Sequence, residues 1–124
     1  MINFTNRTTY YISSCPTVMR KGREGLAQIV REVMKRNPLC YDEAFIFYSK
    51  DYKKVKILHY DLNGYVMYEK WFDDGRFLKP TFEESKSSHH ISRETLILLL
   101  STAVQYRLVI KNGYPSRNFE LGFS

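Results

Sequence analysis

A run of five apolar residues, Ala44-Phe45-Ile46-Phe47-Tyr48, most constrains the fold of this chain. Successive residues of a strand point to opposite faces of its sheet, so this run would be apolar on both faces. A strand of that kind lies inside a sheet, where both of its faces are covered. The run therefore predicts a central strand.

A helix is predicted over residues 20–36, because apolar residues recur there every three or four positions and form one buried stripe. The stripe consists of Leu26, Ile29, Val30, Val33 and Met34. Asn37-Pro38 follows and should end the helix, since the residue before a proline disfavours helical geometry.

Three further strands are predicted at residues 8–13, 53–61 and 65–72, which are rich in β-branched, aromatic and alternating side chains. The last two flank Asn63-Gly64, a strong signal for a two-residue hairpin turn. A turn at these two residues pairs Leu62 with Tyr65, Tyr60 with Met67, Leu58 with Glu69 and Lys56 with Trp71.

Residues 79–91 are mostly polar and are predicted to form a mobile loop. Ser92 can cap a second helix, which is predicted over residues 93–103. Residues 107–110 could form a late strand. The order β-α-β-β-β-α predicts an α+β fold with a mostly antiparallel sheet. We expect residues 1–124 to form a single small domain, with a core of about 8–80 plus the second helix.

Positive charge is concentrated in the first half of the chain, whose formal net charge is +6. Residues 1–58 hold 11 Lys and Arg against 5 Asp and Glu, whereas residues 59–124 hold 8 of each kind. A localised excess of this kind favours an anionic partner over charge spread for solubility.

The first basic candidate site is Arg20-Lys21-Gly22-Arg23, at the start of the first predicted helix. Cations oppose the helix dipole there, whereas a phosphate would suit the free N–H groups, the dipole and the basic side chains together. The alternative is a solvated basic turn whose glycines serve packing against the sheet.

The second candidate site is the predicted hairpin, where Lys54, Lys56, Tyr60 and Trp71 would share one face, with Arg76 near the same end. A cation beside an indole could hold a sugar–phosphate backbone while the ring stacks on a base. The alternative is an ordinary cation–π pair on a solvated surface.

Catalysis is not supported by the sequence, which contains no recognisable nucleophile, phosphate-loop or zinc motif. His59, His89 and His90 have no metal-ligand spacing, and nothing specifies a site among Asp42, Glu43, Asp61 and Asp73. We therefore predict a protein with no catalytic residues, no metal, no cofactor and no small-molecule substrate.

A cytoplasmic location is predicted, because no apolar run reaches the length of a signal peptide or a membrane span. The two cysteines, Cys15 and Cys40, are expected to be buried free thiols.

Four motifs in order resemble one bacterial family. They are Val18-Met19-Arg20-Lys21-Gly22 with Gly25-Leu26, then Phe45-Ile46-Phe47, then Lys54-Val55-Lys56-Ile57-Leu58-His59-Tyr60-Asp61 with Gly64, and finally Gly75-Arg76-Phe77 with Pro80. Together they are similar to TnpB, the product of the second open reading frame of the insertion sequence family numbered sixty-six. Val18 stands where that family usually has Asp, and the segment after Leu100 lacks the family's usual ending.

The resemblance implies an accessory role in DNA transposition beside a separate transposase that carries the catalytic acids. With the charge pattern, it favours a non-catalytic module that binds DNA at the ends of the element. Arg20, Lys21, Arg23, Lys54, Lys56, Trp71 and Arg76 are the predicted contacts. An alternative is an adaptor that binds the transposase without specific DNA contact, and a metal-dependent nuclease is a remote third hypothesis.

Overall fold

A computed structural model describes residues 5–101, 106–115 and 120–121, and in these residues the chain forms nine strands and two helices. In chain order the elements are β1 (Thr9–Ser13), α1 (Arg23–Glu32), β2 (Glu43–Tyr48), β3 (Lys54–Asp61), β4 (Gly64–Trp71), β5 (Lys79–Phe82), β6 (Ser88–Ile91), α2 (Arg93–Leu100), β7 (Tyr106–Lys111), β8 (Tyr114–Pro115) and β9 (Glu120–Leu121). The predicted α+β class is confirmed.

The main sheet has five strands in the order β4-β3-β2-β1-β6, so β2 occupies the centre as its apolar run predicted. β1 and β2 are parallel neighbours joined through α1, because a parallel pair needs a long crossover connection. The pairs β1–β6, β2–β3 and β3–β4 are antiparallel. The expectation of a mostly antiparallel sheet is therefore confirmed.

Both faces of this sheet are covered. On one face, α1 packs Leu26 and Val30 against Phe45, Phe47 and Leu58 of the sheet. The opposite face forms a larger core with α2 and β7. Its members include Tyr10, Ile12, Ile46, Tyr48, Val55, Ile57, Phe77, Leu96, Leu99 and Ile110. The two-sided burial of β2 follows from this arrangement.

The prediction of a mobile loop over residues 79–91 is wrong, because β5 and β6 lie within that range. β5 pairs in parallel with β7 in a second sheet, which also contains β8 and β9. β6 pairs with β1, more than 70 residues earlier in the chain. Both strands depend on distant partners, which a local polar composition does not reveal.

The first helix is shorter than predicted at both ends. It begins at Arg23 because Gly22, in an extended conformation, is its N-cap. It ends at Glu32, and Lys35 has a positive φ of 59° that no helix continues through. Val33 therefore lies outside the helix and is exposed rather than part of the buried stripe.

The hairpin register differs from the prediction by two residues. The turn consists of Leu62 and Asn63, with Leu62 at a positive φ of 53°, while Gly64 already pairs with Asp61 as part of β4. Lys54 rather than Lys56 is consequently opposite Trp71. A shift of two residues leaves every side chain on its predicted face, because the side-chain period of a strand is two.

The second half of the chain agrees with prediction in two places. Ser92 caps α2, accepting the N–H of Thr95 on its side chain, and the late strand is present as β7. The helix ends at Leu100, and residues 102 and 103 lie outside the described residues.

Two expectations concern thiols and membranes. Both cysteines are free, but the expectation that they are buried is wrong, because Cys15 is exposed and Cys40 is only partly buried. Neither helix in the described part of the chain is long and apolar enough to cross a membrane.

Candidate nucleic-acid interface

Three connections meet at one end of the main sheet. β1 and β2 are parallel and finish at this end, β3 begins there and β4 finishes there. Backbone bonds hold the connections together: Thr17 donates to the oxygen of Tyr48 at 2.8 Å, and Phe77 donates to that of Tyr52 at 2.7 Å. We call this surface the basic end of the sheet. Its cationic side chains are those of Arg20, Lys21, Arg23, Lys50, Lys53, Lys54 and Arg76.

Lys56 is buried, with only 7% of its surface exposed, although the sequence placed it among the surface contacts. Its Nζ donates to the backbone oxygen of Met19 at 2.7 Å and to that of Lys21 at 3.0 Å. A buried charge needs such partners to offset the cost of its desolvation. Lys56 thus fastens the connection that carries Arg20 and Lys21 onto β3.

The start of α1 is open on its outer side. Gly22 makes no side-chain capping bond, and a Cβ placed there would meet no atom within 4 Å. The first N–H groups of a helix have no partner within the helix, so a polar ligand can reach them here. Arg20 and Lys21 precede the helix and Arg23 opens it, while Glu24 places one negative charge in the same turn.

Lys21 also packs along this helix turn. A Cβ built on Gly25 would lie 3.2 Å from the Cβ of Lys21, so the absence of a side chain at Gly25 makes room for the lysine. The stem of Lys21 is therefore directed by α1 while its carbonyl is held by Lys56.

Lys54 and Trp71 form the second part of the basic end. They are directly opposite in the β3–β4 ladder, and Nζ of Lys54 lies 4.5 Å from the centre of the Trp71 ring. Trp71 is 64% exposed, and its Nε1 donates to a carboxylate oxygen of Glu69 at 2.9 Å. This is an accessible aromatic surface with a cation beside it.

A shallow groove of about 530 Å³ separates the two parts. One wall is the connection that includes Val18 and Met19, and the other includes Lys50, Asp51 and Lys54. Asp51 accepts bonds from the hydroxyl of Ser49 and from the N–H of Lys53, and these hold the pKa of its carboxyl below the ordinary value. Asp51 therefore keeps its negative charge within an otherwise basic groove.

Arg76 lies at the same end, in the turn that follows β4, but in a different local environment. Gly75 before it adopts a positive φ of 76°, and Phe77 after it is buried. Asp73 and Asp74 share this exposed turn. The positive charge is accordingly densest between the α1 start and Lys54 rather than around Arg76.

Tyr60 lies at the far end of β3, beside the hairpin turn, and its ring meets that of Tyr65 edge to face at 5.2 Å. The structure therefore separates it from the basic end by the length of the strand. Lys50 and Lys53, by contrast, were not singled out from the sequence. The signal available for them was their place in the lysine-rich segment that leads into β3.

In the part of the chain that the structure describes, the acidic residues and histidines are not grouped into one site. Glu43 binds Arg36 at 2.7 Å, Asp61 lies at the hairpin end of the sheet, and His59 contacts the carbonyl of Tyr41. Within residues 5–101, 106–115 and 120–121, no three His, Cys, Asp or Glu side chains are grouped as metal ligands would be.

Comparison with known proteins identifies relatives. A family model described as IS66 Orf2-like protein matches residues 8–108. The uncharacterized protein y4jC of Sinorhizobium fredii is 27% identical over 90 residues, covering 73% of this chain and 74% of its own length. The uncharacterized protein y4hO of the same organism is 36% identical over 73 residues, covering 59% of this chain and 63% of its own length. No solved structure matches significantly.

Proposed function

Because the chain belongs to the IS66 Orf2-like family, which indicates an accessory rather than a catalytic protein of transposition, we propose that it binds DNA through the basic end of its sheet. The observation that carries this proposal is the meeting of cations from separate connections around the open start of α1. Phosphate contacts of this kind supply most of the affinity in DNA binding.

Each part of the basic end has a separate role in the proposal. Arg20, Lys21 and Arg23 hold phosphates, together with the free N–H groups of the first turn of α1. Lys54 binds a neighbouring phosphate, while Trp71 stacks on a sugar or an unpaired base. Arg76 extends the contact along the backbone.

Lys56 takes part without touching the DNA. Its ammonium group is bound to two carbonyl oxygens, so it positions the segment of Arg20 and Lys21. Among the described residues, its hydrogen-bond partners are carbonyl oxygens rather than carboxylates, so its charge still adds to the positive potential at the start of α1.

The test is a titration of labelled duplex from the ends of the element and of scrambled duplex across a salt series. With about four phosphates neutralised, the logarithm of the binding constant should fall against the logarithm of salt with a slope near −3.6. The double variant Arg20→Glu/Lys21→Glu should weaken binding strongly. Arg31→Glu/Lys35→Glu, which makes the same charge change at two exposed positions near the other end of α1, is the matched control and should bind nearly as tightly as the wild type.

Binding that is absent at low salt, or equal in the variant and the control, would overturn the proposal. The adaptor hypothesis predicts a different pattern, in which a transposase of the same element stays bound after nuclease treatment and moderate salt. That second outcome, with no binding to free DNA, would indicate that the basic end binds an acidic surface of the transposase instead of DNA.

A further inference from the structure

β4 forms one edge of the main sheet, and within the described residues no strand pairs with its outer side. Phe72 donates its N–H to the oxygen of Lys53, and hydrogen-bonded pairs alternate along an antiparallel ladder. Residues 64, 66, 68 and 70 therefore bond to β3. The N–H and C=O groups of Tyr65, Met67, Glu69 and Trp71 point away from β3.

The opposite edge of the sheet is protected. β6 is only four residues long, and Gly113 lies so close that a Cβ there would come 2.8 Å from the oxygen of His90. The carbonyl of Gly113 also accepts the N–H of Ser92 at 2.8 Å, which fixes this turn beside the strand. Short length and a covering turn are ordinary ways to prevent edge-to-edge pairing.

β4 lacks these protections. It has eight residues, pairs with β3 without a bulge and contains no proline. Four consecutive residues, Tyr65, Val66, Met67 and Tyr68, are apolar and only half-buried. Its lysine, Lys70, donates to the carbonyl of Leu100 at 2.9 Å and so is tied to α2. A long, regularly paired, largely apolar edge of this kind is a template for another strand.

We propose that β4 pairs antiparallel with β4 of a second copy of this chain, joining two five-stranded sheets into one. Opposed residues of an antiparallel pair point to the same face of the sheet, so the two-fold axis that relates the copies is perpendicular to the sheet. About this axis, odd-numbered residues of one β4 are opposite odd-numbered residues of the other. The odd residues of β4 are those whose backbone groups point outward. α1 of both copies then lies on the same side.

The register centred on Met67 fits the strand best. It sets Tyr65 opposite Glu69 and Val66 opposite Tyr68 of the other copy, and it keeps like charges apart. Registers centred on Glu69 or on Lys70 would oppose two like charges, which destabilises a strand pair. A register centred on Tyr68 would set the two Glu69 carboxylates on a diagonal.

The hairpin turn supports a second copy as the occupant. Leu62 is 90% exposed, and the register centred on Met67 brings it beside the β4 end that carries Trp71, which is 64% exposed. Two exposed apolar side chains of the described residues thus come near each other, twice across the axis. Burial of apolar surface of this kind favours association.

A disulfide test measures the register directly. Met67→Cys, with Cys15→Ser and Cys40→Ser, should form a covalent dimer on mild oxidation, because opposed Cα atoms in a hydrogen-bonded pair are about 5.5 Å apart, as in a disulfide. Glu69→Cys in the same background is the control and should form no covalent dimer, since the two substituted side chains would lie four residues apart along the paired strands. Equal cross-linking of the two variants, or none at Met67→Cys, would overturn the proposal.

Sedimentation equilibrium without DNA tests the dimer by charge. Tyr65→Glu places a carboxylate opposite Glu69 twice and should raise the dissociation constant about tenfold, whereas Tyr65→Lys should lower it. Met67→Pro should abolish the dimer but keep the β3 ladder, because its N–H points outward; circular dichroism checks that each variant folds. The proposal would be overturned if the wild type is monomeric at every concentration, or if the Tyr65 substitutions leave the dissociation constant of the dimer unchanged. Either result would count whatever the result with DNA.

Discussion

Two lysines on the same face of β3 show how the environment of a residue decides its role. Lys54 and Lys56 are two positions apart, and the sequence assigned both to one binding surface. Lys54 lies beside an exposed indole, whereas Lys56 is buried under the connection that precedes α1. The difference arises because that connection crosses β3 at Lys56 and leaves Lys54 at the exposed end of the sheet.

Substitution of these lysines should separate stability from binding. Lys56→Met leaves two carbonyl oxygens without their donor and should lower the free energy of unfolding by about 1–3 kcal/mol in urea titrations. Lys54→Met should cost about 0.5–1 kcal/mol at most, the value of an exposed cation–π pair. In DNA titrations, Lys54→Met should reduce the salt slope by about 0.9, the loss of one phosphate contact. Equal stability losses in the two variants would contradict this division.

His89 gives the fold a dependence on pH. Its ring stacks on Phe82 with centres 4.0 Å apart, and its buried Nε2 has no hydrogen-bond partner among the described residues. Burial lowers the pKa of His89, and Lys86 lowers it further, while Glu84 acts in the opposite direction. Below its unfolded pKa near 6.5, the unfolded chain therefore binds more protons at this site than the folded chain.

The free energy of unfolding should consequently fall as pH is lowered from 7.5 through the folded pKa of His89. His89→Phe keeps a ring against Phe82 without a titrating group, and it should flatten this part of the profile in urea titrations at several pH values. His90→Gln is the control, because His90 is exposed. A wild-type slope retained in His89→Phe would assign the pH dependence to other groups.

At the scale of elements, local sequence patterns predicted the helix end that has a side-chain cap. They did not predict the helix ends that are set by contacts with distant residues. Ser92 was recognised from its type and position, and it caps α2. The start of α1 was placed three residues too early, because the segment before Arg23 is held by Lys56 rather than by helical bonds. The end of α1 is likewise followed by Arg36, whose guanidinium binds Glu43 at the start of β2 and lies 3.8 Å from the centre of the Tyr11 ring.

The cap of α2 should be measurable as stability. Ser92→Ala removes the acceptor of the Thr95 N–H, which lies in a buried environment, and should cost about 1 kcal/mol of unfolding free energy. Ser85→Ala, in the exposed connection between β5 and β6, is the control and should change stability little. Thermal and urea unfolding of the two variants check the difference, and equal losses would show that the cap contributes nothing particular.

At the scale of the whole molecule, the covered faces of the main sheet leave its ends and edges for interactions. The basic end lies at one end of the strands and the β4 edge runs along their length. In the proposed dimer the two basic ends lie at opposite ends of the joined sheet, with the starts of both α1 helices on the same face. Lys54 of one copy and Lys54 of the other would be roughly 30 Å apart, from eight residues along the strand and three strand spacings across it.

This separation predicts that DNA affinity depends on duplex length. The prediction rests on both proposals, DNA binding and dimerisation through β4. One turn of B-DNA spans about 34 Å, so a duplex longer than about 15 base pairs should reach both basic ends of a dimer and a much shorter one should reach a single end. Affinity of the wild type should therefore rise steeply across that length. Met67→Pro, the variant expected to be monomeric, should show only a gradual rise. Identical length profiles for the two proteins would show that DNA binding does not depend on dimerisation.

The sequence by itself determined the features that depend on side-chain periodicity and on local backbone chemistry. The two-sided apolar run placed β2 at the centre, the alternation in β3 placed Lys54 and Lys56 on one face, and Ser92 marked the start of α2. These signals need only the neighbouring residues, because strand and helix periods are fixed by the backbone.

Tertiary structure alone decided which surface each basic residue joins. β5 and β6 exist because β7 and β1 supply their hydrogen bonds, and a positive φ at Leu62 set the register that brings Lys54 over Trp71. Lys56 is buried because a connection 35 residues earlier supplies two carbonyl oxygens. Such contacts join residues far apart in the chain, and their free energy depends on atoms that no local pattern contains.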